Sequence, residues 1–304
     1  MFVIKYRKFF FTLSAILLLV SIFAMVKFGF SVGIDFKGGT ITEVSYSGTR
    51  PEQSVLSPEI DKLKLGNYIL QPSGENSYVV KTKELSGEEK QLLLKSLTPV
   101  GASITIDRYD SIGPIVGSEL KKKSFTAIAV VILCIVLFVT YAFRKVSEPV
   151  ASWKFGLATI ISLAHDVIIP TGAFVIYSHF TGAEIDVLFV SALLAVLGYS
   201  VHDTIVVFDR IREHLRVNKE KHTKENFDIT VGKSVSETFG RSINTSLTIF
   251  LVLIVLFFLG GSTTKDFAFV LLMGIIAGTY SSIFVASPLL VLFEKIQNKN
   301  KAKK

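Results

Sequence analysis

The sequence predicts an α-helical polytopic membrane protein of six transmembrane helices, with a small α+β, ferredoxin-like domain between the first and second. Three observations carry that prediction. Apolar runs at 9–28, 124–143, 155–177, 187–208, 243–260 and 267–293 each reach or approach the ~20 residues that cross about 30 Å of hydrocarbon. Half of the 304 residues are hydrophobic and the mean hydropathy is +0.51, the range of integral membrane proteins. The one long polar stretch, 29–123, breaks into short strand-like and helix-like patches.

Residues 1–30 form the N-terminus and the first span. The basic Lys5-Tyr6-Arg7-Lys8 segment in front of it imitates a signal peptide. The apolar run is too long for an h-region and no A-x-A-like site follows, so an uncleaved span is expected. Residues 31–123 then read as a mixed domain. Residues 40–46 alternate as a strand and 58–65 form a short helical patch. Residues 68–71 and 78–82 look like strands flanking the turn Pro72-Ser73-Gly74-Glu75-Asn76. Ser86-Gly87-Glu88-Glu89 opens a helix through Leu97, and 102–109 makes a final strand. The order β-α-β-β-α-β is that of a split βαβ, ferredoxin-like unit. It holds no His/Cys cluster, nucleophile constellation or phosphate loop, which marks a binding or packing module.

Residues 124–294 carry the second to sixth spans, with a basic connection at 209–241 and a basic tail at 295–304. Lys and Arg in short connections set orientation. Lys5, Arg7 and Lys8 lie at the N-terminus, and Arg144, Lys145 and Lys154 between the second and third spans. Arg210, Arg212, Arg216, Lys219, Lys221, Lys224 and Lys233 lie between the fourth and fifth, and the tail from Lys295 is basic. Residues 178–186 have no Lys or Arg, and 261–266 only Lys265. Both termini are therefore expected in the cytoplasm, with the α+β domain outside. Lys121-Lys122-Lys123 runs against this, but long domains obey the rule poorly and the other connections decide. The net charge of +8 is this topology signal and does not point to nucleic acid. The lone cysteine, Cys134, excludes an intrachain disulfide and a CxxC or zinc site.

Within the spans the informative residue is Asp203. A carboxylate inside a bilayer is costly, so it normally faces a partner or a hydrated path. It lies about 9 Å inside the cytoplasmic edge, six residues before Asp209 at 1.5 Å each, and forms an i, i+4 pair with Tyr199, as Ser200 does with Thr204. In the fifth span Arg241, Asn244, Thr245 and Thr248 form a stripe, and Arg241 enters from the same side, so that it and Asp203 are expected to meet. In the third, Ser162 lies one turn from His165 and Asp166, the latter roughly 15 Å deep. Near neutral pH an acid so placed must pair or take up a proton, which is what a proton relay of Asp203, Arg241, His202, Asp166 and His165 requires. Position alone admits blander roles: Arg241 snorkelling to lipid phosphates, His165 as an interhelical hydrogen-bonding group, His202 facing headgroups. The arginines of Arg210-Ile211-Arg212-Glu213 read as anchors in a charged helix that continues past the fourth span. Gly274, Gly278 and Ser282 make a small-xxx-small ridge for close helix packing, and Pro170 and Pro288 are expected to kink their helices.

Taken in order, these residues resemble the SecF family, the smaller membrane subunits of SecDF protein-export complexes. The resemblance covers nearly the whole chain. Its motifs are Gly33-Ile34-Asp35-Phe36-Lys37-Gly38-Gly39-Thr40, Ser111-Ile112-Gly113-Pro114, His165-Asp166-Val167, Gly198-Tyr199-Ser200-Val201-His202-Asp203-Thr204 with Phe208-Asp209-Arg210-Ile211-Arg212-Glu213, and Arg241-Ser242-Ile243-Asn244-Thr245-Ser246. The resemblance implies half of a transporter of the resistance-nodulation-division type, paired with SecD and working beside SecYEG, often with a YajC-like subunit, on preprotein substrates. It implies late translocation driven by the proton motive force, with Asp203 accepting the proton and Arg241 as its charge partner. His202 departs from the asparagine expected there. No cofactor or metal is implied.

Two other classes compete: a small-molecule exporter half of the same superfamily, and a passive translocon scaffold. The exporters normally carry twelve spans and larger exterior domains. An intramembrane enzyme is disfavoured, because HExxH is absent and 198–203 does not match GxGD.

Overall fold

The computed structural model describes residues 2–99, 103–144, 150–223 and 225–301. Ala102, Lys145, Lys224 and residues 302–304, all used in the expectations above, lie outside the described residues. Contacts divide the chain into two units, Val32–Phe125 on one side and Met1–Ser31 with Thr126–Lys304 on the other.

The smaller unit opens with a one-turn helix, α1 (Ile34–Lys37), that runs into the strand β1 (Gly39–Tyr46). The turn between them needs Gly38 and Gly39, whose φ angles are +78° and +133°. A Cβ at Gly38 would lie 2.8 Å from the Pro114 backbone, and one at Gly39 2.7 Å from the Thr82 carbonyl, so glycine is required on two counts. Then follow α2 (Gln53–Lys62), β2 (Ile69–Ser73), β3 (Ser77–Thr82), α3 (Gly87–Ser96) and β4 (Ile104–Ile112). The sheet order is β2-β3-β1-β4 with every neighbour antiparallel, the ferredoxin-like arrangement expected. Val44, Leu56, Ile60, Val80, Leu93 and Leu97 fill its core, and the Tyr46 hydroxyl donates to the Leu97 carbonyl at 2.8 Å. Two expectations are corrected. Pro72 and Ser73 belong to β2 and not to the turn; β2 is an edge strand, where a residue without N–H is tolerated. The helical patch expected at 58–65 is α2, which begins at Gln53, ahead of Pro58, and ends at Lys62, because Leu56 and Ile60 one turn apart are both needed against the sheet.

Six described helices are long and apolar enough to cross a membrane. Including an N-terminal turn, α4 (Phe2–Lys5), the larger unit consists of α5 (Arg7–Phe28), α6 (Pro114–Ala142), α7 (Trp153–Thr181), α8 (Val187–Glu220), α9 (Phe227–Leu259), α10 (Ser262–Ser281), a π-helical turn at Ser282–Ala286 and α11 (Ser287–Lys301), with α6 starting in the smaller unit. Phe143, Phe155 and Phe208 close one end of the bundle, Phe143 stacking on Phe155 at 5.2 Å and Phe208 meeting both edge-on. Phe23, Phe125, Leu137, Val252 and Phe258 point outward, as helices in lipid require.

Two boundaries differ from expectation. α6 starts at Pro114, a residue suited to a first helical position, so Lys121–Lys123 lie on a helix and Lys123 pairs with Glu119 at 2.8 Å. The region 209–241 is mostly helix, because Phe227, Thr230, Val231, Ser234 and Val235 bury one face of α9 while its charged face pairs Glu237 with Arg210 and His214 of α8. Helix α7 runs continuously through Pro170. At Pro288 the accommodation is the π-helical turn just before it, which adjusts the backbone where proline offers no N–H.

Candidate functional site: two buried acids and their hydroxyl donors

The site forms where α7, α8, α9 and the end of α10 converge. Asp203 lies on the inward stripe of α8, with Val196, Ser200, Thr204 and Val207, and is 6% exposed; Asp166 on α7 is fully buried. No cation contacts Asp203 among the described residues; hydroxyls do. Ser242 Oγ of α9 donates to Asp203 Oδ1 at 2.5 Å, and Ser282 Oγ donates to Oδ2. Asp166 Oδ2 receives Ser200 Oγ and, at 2.7 Å, Ser281 Oγ. His165 Nδ1 lies 2.9 Å from Asp166 Oδ1, the geometry of an Nδ1–H donor to a carboxylate. Its Nε2 is buried with no hydrogen-bond partner, and its ring stacks on Tyr280 at 5.9 Å.

Helix geometry explains why two neighbouring serines serve two acids. Successive residues are about 100° apart around the axis, so Ser281 faces Asp166 while Ser282 faces Asp203, and both are fully buried. Ser200 and Asp203, three apart on α8, share a face and tie the acids together. Ser162 adds a donor to Ser281 at 2.9 Å. A second layer lies beside Asp203: the Tyr199 hydroxyl meets Ser246 Oγ at 2.7 Å, which meets Thr279 Oγ1 at 2.6 Å.

The expected site residues therefore divide. Asp203, Asp166, His165 and Tyr199 come together in the interior. Arg241 does not: it is exposed, lining a cavity of about 310 Å³ with Asp209, Arg210, Glu213 and Glu237. The expected contact between Arg241 and Asp203 is thus corrected, because α9 turns Thr238, Ser242 and Ser246 inward at four-residue spacing and Arg241 away. His202, Asn244, Thr245 and Thr248 are likewise exposed, and the two threonines return their hydroxyls to the Arg241 and Asn244 carbonyls at 2.9 Å. Gly274 and Gly278 do pack closely, since a Cβ would lie 2.1 Å from Val196 and 2.9 Å from Ser200. Ser282, assigned to the same ridge, instead holds a carboxylate. Ser242 and Ser281 are the partners that sequence reasoning did not single out. The adjacent Ser281-Ser282 pair in an apolar run, and the four-residue spacing Thr238-Ser242-Ser246, are the signals that point to them.

Comparison with known proteins agrees with this architecture. Residues 93–296 match the family "Protein export membrane protein SecD/SecF, C-terminal", and residues 23–49 match the SecD/SecF GG motif, which contains Gly38 and Gly39. Protein translocase subunit SecF of Thermobaculum terrenum is 38% identical over 96% of this chain and 93% of its own. That of Anaerolinea thermophila is 33% identical over 97% and 94%. The crystal structure of SecDF, a translocon-associated membrane protein from Thermus thermophilus, superimposes with a TM-score of 0.80 at 31% identity. The match covers 96% of this chain and 38% of that one. From end to end, then, this chain belongs to the SecF family of protein translocase subunits.

Proposed function

We propose that this subunit uses the proton motive force to promote a late stage of preprotein translocation, with Asp203 as the proton carrier. It acts as the smaller half of a complex with a SecD chain, in the cytoplasmic membrane of a bacterium, beside SecYEG and a YajC-like subunit. The observation that carries the reading is a carboxylate, buried among four membrane-length helices, held by hydroxyls with no cation against it. In this hydroxyl-bound state the acid takes up a proton with no ion pair to break, and each proton descending about 100 mV releases roughly 2.3 kcal/mol. That suffices to bias a two-state rearrangement of helices.

In the other state of this cycle Arg241 becomes the charge partner of Asp203. It precedes Ser242, the residue now bonded to Asp203. A rotation of α9 by about 100° exchanges one for the other, so the acid alternates between a hydroxyl and a guanidinium. Asp166 and His165 form the deeper stage of the relay, and His202 stands at its exposed end. Both termini and the 209–241 region lie in the cytoplasm, the α+β unit outside, as the Lys and Arg distribution supports.

The test is a preprotein translocation assay in inverted membrane vesicles, with and without an uncoupler. Asp203→Asn is expected to insert and to co-purify with SecD while losing the uncoupler-sensitive stimulation. Arg241→Ala is expected to lose most of it. Full stimulation by Asp203→Asn refutes the proton-carrier role and leaves a scaffold.

A further inference from the structure

We propose that Ser281 and Ser282 are a paired hydroxyl switch for the proton step, each reading the state of one acid and passing it into the π-helical turn of the last span. The proposal rests on the reading of Asp203 as a proton carrier and deepens it.

Each of these hydroxyls has one proton and two acceptors within reach. Ser282 Oγ meets Asp203 Oδ2 and, at 3.1 Å, the Thr279 carbonyl. Ser281 Oγ meets Asp166 Oδ2 at 2.7 Å and the Gly278 carbonyl at 3.1 Å. Ser200 and Ser242 also donate to the acids, but neither has a second, backbone acceptor among the described residues. The two-acceptor arrangement belongs to the serine pair.

A carboxylate only accepts, whereas a carboxylic acid also donates. When Asp203 Oδ2 takes up a proton, its new O–H points at Ser282 Oγ, and the serine's own proton turns to the Thr279 carbonyl. No proton leaves the serine; the hydrogen bond reverses direction. The same reversal at Asp166 turns the Ser281 proton to the Gly278 carbonyl. These carbonyls lie in the last α-helical turn before Ser282–Ala286, where bonding to the fourth residue gives way to bonding to the fifth. A hydroxyl arriving on the Thr279 carbonyl competes with the backbone N–H that would otherwise bond there. The carboxyl's protonation state thereby biases the register of the last span, and Ser287 Oγ, donating to the Ser282 carbonyl at 3.0 Å, braces the other side of the turn.

The remaining titratable groups around the pair are few. His165 on α7 bonds Asp166, Tyr280 on α10 stacks on His165, and among the described residues the Tyr199 hydroxyl on α8 bonds Ser246 and neither acid. His202 and Arg241 are exposed on α8 and α9. From α5 the Phe10 carbonyl accepts from the Tyr280 hydroxyl at 2.8 Å, and Ser14 Oγ donates to that hydroxyl at 3.3 Å.

The test is acid-minus-neutral infrared difference spectroscopy of the whole subunit in membranes with its partner chain. The protonated-carboxyl C=O bands are assigned by their loss in Asp203→Asn and Asp166→Asn. Ser282→Ala, which removes the acceptor for the Asp203 O–H, is expected to raise the frequency of that band alone. Ser281→Ala is expected to move only the Asp166 band. Proton-dependent export should fall about tenfold in Ser282→Ala, equivalent to roughly 1.4 kcal/mol, and Ser282→Thr, which keeps the hydroxyl, should restore both band and export. An Asp203 band present but unmoved in Ser282→Ala overturns the switch and leaves the proton carrier standing. No Asp203 band at any pH overturns both.

Discussion

The two acids bind the helices together through hydroxyl groups, and that choice of partner has an energetic consequence at single residues. A buried acceptor deprived of its donor costs about 1–3 kcal/mol. Ser242→Ala should therefore lower the stability of the bundle by that amount, measured by denaturant titration of the purified protein in bicelles. Thr245→Ala, three residues on but exposed and bonded to its own helix, should change stability by less than about 0.5 kcal/mol. Equal costs at the two positions would mean that Ser242 does not support Asp203. Asp203 and Asp166 were legible in the sequence because a carboxylate in an apolar run stands out by composition alone. Their partners were not. Ser242 lies 39 residues from Asp203 and Ser282 lies 79 away, and a serine among small apolar residues carries no periodic signal until helix packing decides which face is inside. Arg241 was misplaced for the same reason: its neighbour in sequence holds the inward position.

Single elements were legible where chain-local chemistry fixes them. Ser86 accepts from the Glu89 N–H at 3.2 Å and the Glu89 side chain accepts from the Ser86 N–H at 2.8 Å, a reciprocal cap that starts α3 where the sequence places it. Ser86→Ala should cost about 1 kcal/mol of the unit's stability. The Lys83 ammonium, and then the Ser86 N–H, hold the Glu89 carboxyl below its ordinary range. A depressed acid contributes stability that is complete above its ordinary value and lost as pH falls through the lowered one. Thermal melts of the protein should therefore show the α+β unit weakening on acidification, with a shallower dependence in Glu89→Gln; an unchanged slope would contradict the linkage. The charged helix past the fourth span was legible at Arg210–Glu213 and is the end of α8, but the start of α9 at Phe227 was not, since charge density there imitates a solvated loop. Only the pairing of Glu237 with Arg210 and His214 across α8 and α9 shows that those charges belong to two helices.

For the whole molecule, six spans and an inserted ferredoxin-like unit followed from run length and alternation, while orientation rests on charge bias alone. The proton reading demands one orientation, because a carrier must load from the side where protons are abundant and unload toward the cytoplasm. Cys134 offers a clean way to decide it. As the lone cysteine, it is replaced by serine to give a thiol-free background. Glu75 lies exposed at the tip of the β2–β3 hairpin and Lys219 lies exposed near the end of α8. In intact cells stripped of their outer envelope, Glu75→Cys in that background should react with a membrane-impermeant maleimide, and Lys219→Cys should react only after permeabilisation. The reverse labelling would place the Arg241 end of the bundle outside. Asp203 would then lie nearer the proton-rich face, and the cycle in which a cytoplasmic arginine draws the proton off would run against the gradient that is to drive it.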